Sequence, residues 1–203
     1  MATLYYSPGA CSLSPHIVAK ETGVDIQIEK VDLATKQTSS GGDFTKVNPK
    51  GQVPTLKLDN GEILTEGPVI VQYLAEQKAA NGLLPKSGSM ERYRVQEWLN
   101  YITSELHKGF SPLFNPTYPE DAKKIVVENL KKRFSYLDSH LAQRQYLMGD
   151  QFTVADAYCF TVVSWSNFVN IDLSAWANLK AYITRIASRP KVQEALKAEG
   201  LIK

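Results

Sequence analysis

The side chain best suited to covalent chemistry is Cys11, one of two cysteines in the 203-residue chain. The apolar run Thr3–Tyr6 predicts a buried strand before it, and Ser7-Pro8-Gly9 predicts the turn that ends this strand. Ser12 and Ser14 then favour the start of a helix. A thiol at that position lies near the positive end of the helix dipole, which favours the reactive thiolate. A small buried cysteine is the alternative, but the order strand, turn, cysteine and helix favours a functional thiol.

The composition is that of an ordinary globular protein, with 43% hydrophobic and 22% charged residues. A net charge of +2 without a long basic run argues against a nucleic-acid partner. Cys11 and Cys159 are far apart and form no Cys-x-x-Cys pair, so neither a disulfide framework nor a metal site is expected. Residues 1–5 lack the pattern of a secretory signal, so none is expected, and no apolar run approaches roughly 20 residues. These features predict a cytoplasmic protein that does not enter a membrane.

Residues 1–80 alternate strand and helix signals and are predicted to form one domain. The predicted elements are a strand, a helix that ends at Gly23, a second strand, a hairpin around Asn60-Gly61, and a helix from Gly67 to Gln77. This order predicts a small mixed sheet with helices packed against it.

The rest of the chain is predicted to be helical. Turn residues cluster in 81–88, which is therefore predicted to be a linker to a second domain, 89–203. Apolar residues recur at helical spacing in Met90–Lys108 and Glu120–Leu141. The stretch Phe152–Asp156 then resembles the capping box of a further helix, with the Asp156 carboxylate accepting from the Thr153 N–H.

Five features in order resemble the bacterial beta-class glutathione transferases, and the resemblance covers essentially the whole chain. They are Ser7–Ser12, Asn48–Pro54, Leu64–Gly67, Glu97–Tyr101 and Phe152–Tyr158. The resemblance implies the glutathione transferase fold, with an α/β thioredoxin-like N-terminal domain and an all-α C-terminal helical domain. It also implies a homodimer that uses glutathione as co-substrate and has no bound cofactor.

In this family the first domain binds glutathione and lowers the pKa of the glutathione thiol. The resemblance implies that Cys11 lies beside that sulfur and that Val53-Pro54 is a cis-proline turn whose backbone edge pairs with the cysteinyl residue. Lys36 matches a lysine that pairs with a glutathione carboxylate. Glu66 is implied to accept from the γ-glutamyl ammonium, and the Gly67 N–H to bind the carboxylate. Many relatives have serine in place of Gly67, so its hydroxyl contact is missing here.

A polar stripe is predicted on the first helix of the second domain. Asn100, Ser104 and His107 follow i, i+4, i+7 spacing, with Glu105 and Lys108 beside them. The stripe is expected to face the cleft between the domains. A solvated helix face is the alternative interpretation.

The resemblance implies that this stripe contacts glutathione through Asn100, Ser104, Glu105 and His107. His107 is a predicted catalytic residue together with Cys11, and the predicted electrophile site is His107, Lys108 and Trp165. The large apolar residues Trp165, Phe168 and Trp176, and the second cysteine, Cys159, are predicted to lie in the core.

Three functions follow from these residues. The preferred one is conjugation of reduced glutathione to hydrophobic electrophiles, as in detoxification. The second is a glutathione-dependent thiol-disulfide reductase with Cys11 as nucleophile; because Ser14 stands where a second cysteine would be, its cycle would use one thiol and a mixed disulfide. The third is a non-catalytic binder of hydrophobic compounds, against which the complete set of glutathione residues argues.

Overall fold

The computed structural model describes residues 1–78 and 82–203, which form two compact units. The first unit comprises Met1–Leu84 and Arg189–Lys203, and the second comprises Pro85–Ser188. The first unit contains β1 (Ala2–Tyr6), α1 (Leu13–Thr22), β2 (Ile26–Lys30), β3 (Thr55–Lys57), β4 (Ile63–Thr65), α2 (Gly67–Glu76) and α8 (Pro190–Ala198). The second contains α3 (Met90–Tyr101), a π-helix (Ile102–His107), the short α4 (Lys108–Phe110), α5 (Glu120–Leu141), α6 (Val154–Val163) and α7 (Ala177–Ala187).

The first unit is built on a four-stranded mixed sheet with the strand order β2-β1-β3-β4. β1 pairs in parallel with β2 and antiparallel with β3, and β3 pairs antiparallel with β4. This confirms the mixed sheet and the hairpin predicted from the sequence. The parallel pair needs a crossover, which α1 provides.

The end of α1 follows the predicted glycine stop. Gly23 has φ +65°, a left-handed conformation that glycine adopts without a Cβ penalty, and its N–H donates to the carbonyls of Ala19 and Lys20. The chain therefore leaves the helix at Gly23 and enters β2 three residues later.

The C-terminal segment belongs to the first unit, whereas the sequence analysis assigned it to the helical domain 89–203. The structure groups Arg189–Lys203 with the sheet because α8 packs against α1. A bidentate ion pair, with N–O distances of 2.7 and 2.9 Å, also joins Glu21 of α1 to Arg189, the N-cap of α8. Periodicity alone identifies a helix and not its packing partner. The predicted linker begins at residue 81, and residues 79–81 lie outside the described residues.

The second unit is helical, as predicted, and its core is aromatic. α6 is buried along its whole length and packs against α3 and α7, while α5 packs against α7. Tyr158, Tyr182, Phe110 and Phe134 are its largest fully buried side chains. Cys159 is fully buried and Trp165 is 7% exposed, as predicted, but the core prediction for Phe168 is wrong because 60% of this residue is exposed. Among residues 1–78 and 82–203, no helix has the length and apolar character needed to cross a membrane.

A buried carboxylate, that of Asp156, organises the start of α6. Its Oδ2 accepts from the Thr153 N–H at 2.8 Å, which confirms that half of the predicted capping box. Its Oδ1 accepts from the Leu147 N–H at 2.8 Å and from the Tyr182 hydroxyl at 2.9 Å. Burial nevertheless raises the pKa of Asp156 to about 6, because the hydrogen bonds only partly offset the loss of hydration.

We expect Asp156 to make stability depend on pH. The folded carboxyl keeps its proton up to about pH 6, whereas an unfolded one loses it near pH 4. The stabilisation from the protonated form is therefore complete below pH 4 and is lost as the pH rises through 6. The free energy of unfolding of the wild type, minus that of Asp156→Asn, should fall by up to about 3 kcal/mol between pH 4 and pH 7.

Urea unfolding at several pH values measures this difference. Asp150→Asn, at an exposed carboxylate, is the control and should give a nearly constant difference. Parallel pH curves for the wild type and Asp156→Asn would contradict the assignment.

Candidate functional site

The Cys11 thiol is half-buried and lies one residue before Ser12, the N-cap of α1. The predicted position at a helix start is therefore confirmed. Its Sγ donates a hydrogen bond to the carbonyl oxygen of Val53 at 3.2 Å. A thiolate cannot donate, so this contact belongs to the protonated sulfur. The hydrogen bond thus brings the loop before α1 into contact with the turn before β3, 42 residues further along the chain.

Two serines shape the loop that carries Cys11. The Ser12 hydroxyl accepts from the Ser7 N–H at 3.1 Å and lies 3.2 Å from the Ser7 carbonyl, to which it donates. The Ser14 hydroxyl donates to the Cys11 carbonyl at 2.8 Å. Both serines are fully buried, and their hydroxyls are satisfied by these backbone groups of the loop.

Two buried side chains, Glu199 and His16, support the same loop and join it to the C-terminal segment. The Glu199 side chain is fully buried, and its Oε2 accepts from the Gly9 N–H at 3.0 Å. Its Oε1 lies 2.9 Å from Nδ1 of His16, which is also buried. Glu199 therefore fixes the backbone two residues before Cys11, a role that sequence analysis missed because these partners are 190 and 183 residues apart.

The other side of the site is the backbone around Val53. The Val53–Pro54 peptide bond is cis, as the resemblance implies. Val53 lies outside the strand ladder, whose pairs in this part of the chain begin at Thr55. The buried Asn48 side chain donates to the Gln52 carbonyl and to the Thr55 hydroxyl, both at 2.9 Å. The turn is thereby held with its backbone edge unpaired by the sheet.

Glu66 is the N-cap of α2 and has the positive φ of +69°, which is uncommon for a residue other than glycine. Gly67 is the first residue of α2, where N–H groups lack intrahelical partners. The Glu66 carboxylate pairs with Lys50, with 2.6 Å between Oε1 and Nζ, and Lys50 also donates to the Thr65 hydroxyl at 3.0 Å. Sequence analysis gave Lys50 no role, although it lies within the Asn48–Pro54 motif.

Lys36 lies against the same turn. Its Nζ donates to the Gly51 carbonyl at 2.9 Å, and its backbone has φ +59°. Its side chain crosses Gly51 so closely that a Cβ on that glycine would be 3.3 Å from the Lys36 Cε. An ammonium group has three donors, so Lys36 keeps further donors beside this turn.

In the second unit, the predicted stripe falls where α3 changes into the π-helix Ile102–His107. The wider turn changes the spacing on which the stripe was based. Ser104, Glu105 and Lys108 line a surface cavity of about 280 Å³ within this unit, together with Arg133. Arg133 pairs with Glu105, with 2.7 Å between its Nε and Glu105 Oε2. Asn100 and His107 are not among the residues that line this cavity.

His107 is turned towards α6 and the segment that follows it. Its Nδ1 lies 2.7 Å from the hydroxyl oxygen of Tyr158, which is 1% exposed. Its ring meets Trp165 edge-on, with ring centroids 4.9 Å apart. Trp165 also contacts Phe110 and Phe114 edge-on, so His107 and Trp165 belong to one aromatic cluster.

The structure thus places the predicted site residues in two groups, each within its own unit. The first unit groups Cys11, Lys36, Val53, Pro54, Glu66 and Gly67 around α1, α2 and the turn before β3. The second unit contains the remaining predicted site residues, which are Asn100, Ser104, Glu105, His107, Lys108 and Trp165. Within the described parts of the chain, no cluster of three His, Cys, Asp or Glu side chains could hold a metal ion.

Comparisons with known proteins agree along the whole chain. Residues 9–77 match the family described as "Glutathione S-transferase, N-terminal domain", and residues 101–190 match "Glutathione S-transferase, C-terminal domain". The chain is 48% identical over 198 residues to the glutathione S-transferase GstA of Escherichia coli O157:H7, with 98% of each protein covered.

Solved structures give the same result. A ternary complex of BphK, a bacterial glutathione S-transferase, has 54% identity and a TM-score of 0.96 and covers 98% of this chain and 99% of that one. A beta-class enzyme of Sphingomonas chungbukensis has 48% identity and a TM-score of 0.96, with 98% and 100% covered. A sphingomonad glutathione S-transferase complexed with glutathione has 48% identity and a TM-score of 0.95, with the same coverage.

We expect the loss of free energy of unfolding in a Glu199 variant to depend on how many of its hydrogen bonds the new side chain can still make. Glu199→Ala leaves the Gly9 N–H and His16 buried without their acceptor, and should lower the free energy of unfolding by about 3–5 kcal/mol. Glu199→Gln can still accept from Gly9 and can donate its amide N–H to His16 Nδ1, so it should cost clearly less.

Denaturant unfolding followed by tryptophan fluorescence distinguishes the two variants. Glu194→Ala, at an exposed ion pair on α8, the helix that ends just before Glu199, is the control and should cost less than about 1 kcal/mol. A Glu199→Ala variant as stable as the control would show that this carboxylate does not support the loop.

Proposed function

This chain belongs to the glutathione S-transferase family, and we propose that it binds glutathione in the first unit with the glutathione sulfur beside Cys11. As a glutathione S-transferase it uses glutathione as co-substrate. The finer assignment, residue by residue, is our proposal. The family is enzymatic, which argues against the non-catalytic binder.

The 3.2 Å contact between the Cys11 Sγ and the Val53 carbonyl carries the proposal. An extended cysteinyl residue of glutathione would pair with the Val53 backbone as an added strand, its N–H donating to the Val53 carbonyl. A carbonyl oxygen has two lone pairs and can accept from both donors. The cysteinyl side chain would then start next to the residue whose thiol already reaches that carbonyl, which supports a sulfur position beside Cys11.

The charged ends of glutathione fit the charged groups of the first unit. The Glu66 carboxylate is suited to the γ-glutamyl ammonium, and the Gly67 N–H at the start of α2 is suited to the neighbouring carboxylate. Lys36, anchored on the Gly51 carbonyl, is suited to the glycyl carboxylate. Lys50 holds Glu66 only through an exposed ion pair, which the ligand ammonium can replace at small cost.

The second unit is proposed to supply further contacts. Asn100, Ser104, Glu105 and His107 remain the predicted glutathione contacts, and His107, Lys108 and Trp165 remain the predicted electrophile site. The aromatic cluster around Trp165 includes Phe114, which is 48% exposed. Apolar surface of this kind favours a hydrophobic electrophile, attacked at an electrophilic carbon by the glutathione thiolate.

We also propose a homodimer and a cytoplasmic location. Tyr136 on α5 is 53% exposed while its ring packs against Trp98 and Tyr101. The buried Tyr101 hydroxyl has no hydrogen-bond partner among the described residues. The exposed aromatic ring of Tyr136 is a candidate contact for a partner surface. The cytoplasmic location rests on the sequence alone.

Reductase activity is the second candidate because the Cys11 thiol is partly exposed. The Cys11 thiolate would attack a mixed disulfide of glutathione, forming a Cys11–glutathione disulfide and expelling the other thiol. A second glutathione thiolate would then release glutathione disulfide and restore Cys11. Over the cycle, one mixed disulfide and one free glutathione thiol become glutathione disulfide and one free thiol, so one disulfide bond is broken and one is formed.

Cys11→Ala separates the two activities. If Cys11 assists by hydrogen bonding, conjugation of glutathione to an aryl halide should stay within about tenfold of the wild type, since a neutral hydrogen bond contributes about 1 kcal/mol. Any disulfide reductase activity should disappear, because the nucleophile is gone.

Cys11→Ser is the matched variant, since its hydroxyl can still donate to Val53 but cannot form a disulfide. It should conjugate at least as well as Cys11→Ala and show no reductase activity. Conjugation at the uncatalysed rate in both variants would contradict an assisting role, and reductase activity in either would exclude Cys11 as its nucleophile.

A further inference from the structure

The start of α2 offers few hydrogen-bond donors to a bound anion. In the first turn of this helix, which the structure describes in full, the N–H groups of Val69 and Ile70 both donate to the Glu66 carbonyl at 3.0 Å. Pro68 has no N–H group, so this turn leaves the N–H of Gly67, and glycine adds no side-chain donor. A carboxylate has about four lone-pair sites. The γ-glutamyl carboxylate proposed to bind here can therefore accept from a further donor.

The Lys50 ammonium lies beside this turn. Its Nζ is 2.6 Å from Glu66 Oε1 and 3.0 Å from the Thr65 hydroxyl oxygen, on the two residues directly before Gly67. An ammonium has three donors, so these two contacts leave one donor for a further acceptor. The backbone of Lys50 is held in place, because its N–H donates to Oδ1 of the buried Asn48 at 3.1 Å. A hydrogen-bonded turn thus presents a cation to the start of α2.

A ligand ammonium that approaches Glu66 changes the surroundings of Lys50. It adds a second positive charge beside the Lys50 ammonium, and like charges a few ångströms apart repel each other. In the γ-glutamyl group, however, the ammonium and a carboxylate are attached to the same carbon atom. A carboxylate that lies between the two cations attracts both of them. Charges of alternating sign would then extend from Glu66 through the ligand to Lys50.

We propose that Lys50 is a specificity-determining residue that pairs with Glu66 in the free enzyme and donates to the γ-glutamyl carboxylate once the ligand ammonium has taken its place on Glu66. The Lys50 and Glu66 side chains are 50% and 63% exposed, so the ammonium can shift between these acceptors while it stays hydrated. The inference rests on the proposed function, in which Glu66 and Gly67 bind the γ-glutamyl end. It assigns to Lys50 the further donor that the first turn of α2 does not supply.

This arrangement selects ligands that carry both charges of the γ-glutamyl group. A ligand with the ammonium alone separates Lys50 from Glu66 and offers Lys50 no acceptor in return. A ligand with the carboxylate alone leaves Lys50 on Glu66 and meets the negative charge of Glu66. An exposed ion pair without a role in binding contributes little to any of these states, and its loss would not alter the choice between ligands.

Glutathione and its analogue without the γ-glutamyl carboxylate, 4-aminobutyryl-cysteinylglycine, test the proposal on the wild type and Lys50→Met. Calorimetric titration of glutathione, alone and against an excess of the analogue, gives both affinities even where the analogue binds weakly. Lys50→Met should reduce the preference for glutathione over the analogue at least about fivefold, because it removes a charge-assisted hydrogen bond that only glutathione can accept. Both ligands carry the ammonium, so an effect of Lys50 on Glu66 alone would change the two affinities equally.

Two matched variants complete the experiment. Lys50→Arg keeps a cation with several donors and should retain the wild-type preference to within about twofold. Lys46→Met removes the same charge at an exposed lysine of the same loop and is the control, which should leave the preference unchanged. An unchanged preference in Lys50→Met would overturn the inference while glutathione still binds. A wild type that binds no glutathione would instead overturn the proposed function.

Discussion

The contact between the Cys11 sulfur and the Val53 carbonyl joins two loops of the first unit, and buried polar side chains hold both loops in place. On one side, the Cys11 loop is held by the buried hydroxyls of Ser12 and Ser14 and by the Glu199 carboxylate. On the other, Asn48 holds the turn that contains Val53. Each of these side chains hydrogen-bonds backbone groups of loops that lie outside the strand ladder. The site is therefore an irregular stretch of backbone kept in shape by buried polar side chains.

In each unit, a buried carboxylate accepts hydrogen bonds from segments that are distant in the sequence. Glu199 joins the C-terminal segment to the loop before Cys11, and Asp156 joins the start of α6 to Leu147 and Tyr182. A buried carboxylate without donors is costly, so each of them is tolerated because its oxygens are satisfied. Because the donors of the loops in turn need an acceptor, an apolar residue cannot replace Glu199 or Asp156. It would fill the volume but leave these buried N–H and O–H groups without a hydrogen bond. Buried polar side chains thus fix the conformation of the loops, whereas buried apolar side chains hold the helices and the sheet together.

Local patterns in the sequence were sufficient for most elements. Gly23, the Asn60-Gly61 hairpin and the full extent of α5 follow from turn chemistry and periodicity over a few residues. What the sequence could not show depends on distant partners: the Gly9–Glu199 bond, and the packing of α8 on α1. The π-helix at Ile102–His107 also escaped prediction, because one extra residue per turn leaves no periodic signature in so short a segment. Phe168 was misplaced for a related reason, since its apolar character does not reveal which surface it occupies.

We propose that glutathione pairs with the Val53 backbone, a group that no side-chain substitution can remove. Glutathione methylated on the cysteinyl amide nitrogen lacks the N–H that would donate to the Val53 carbonyl, and glutathione methylated on the glycyl nitrogen is the matched control. Calorimetric titration of both ligands into the wild type measures the difference directly. We expect the cysteinyl-methylated ligand to bind at least tenfold more weakly than the control. Equal affinity for the two ligands would contradict it.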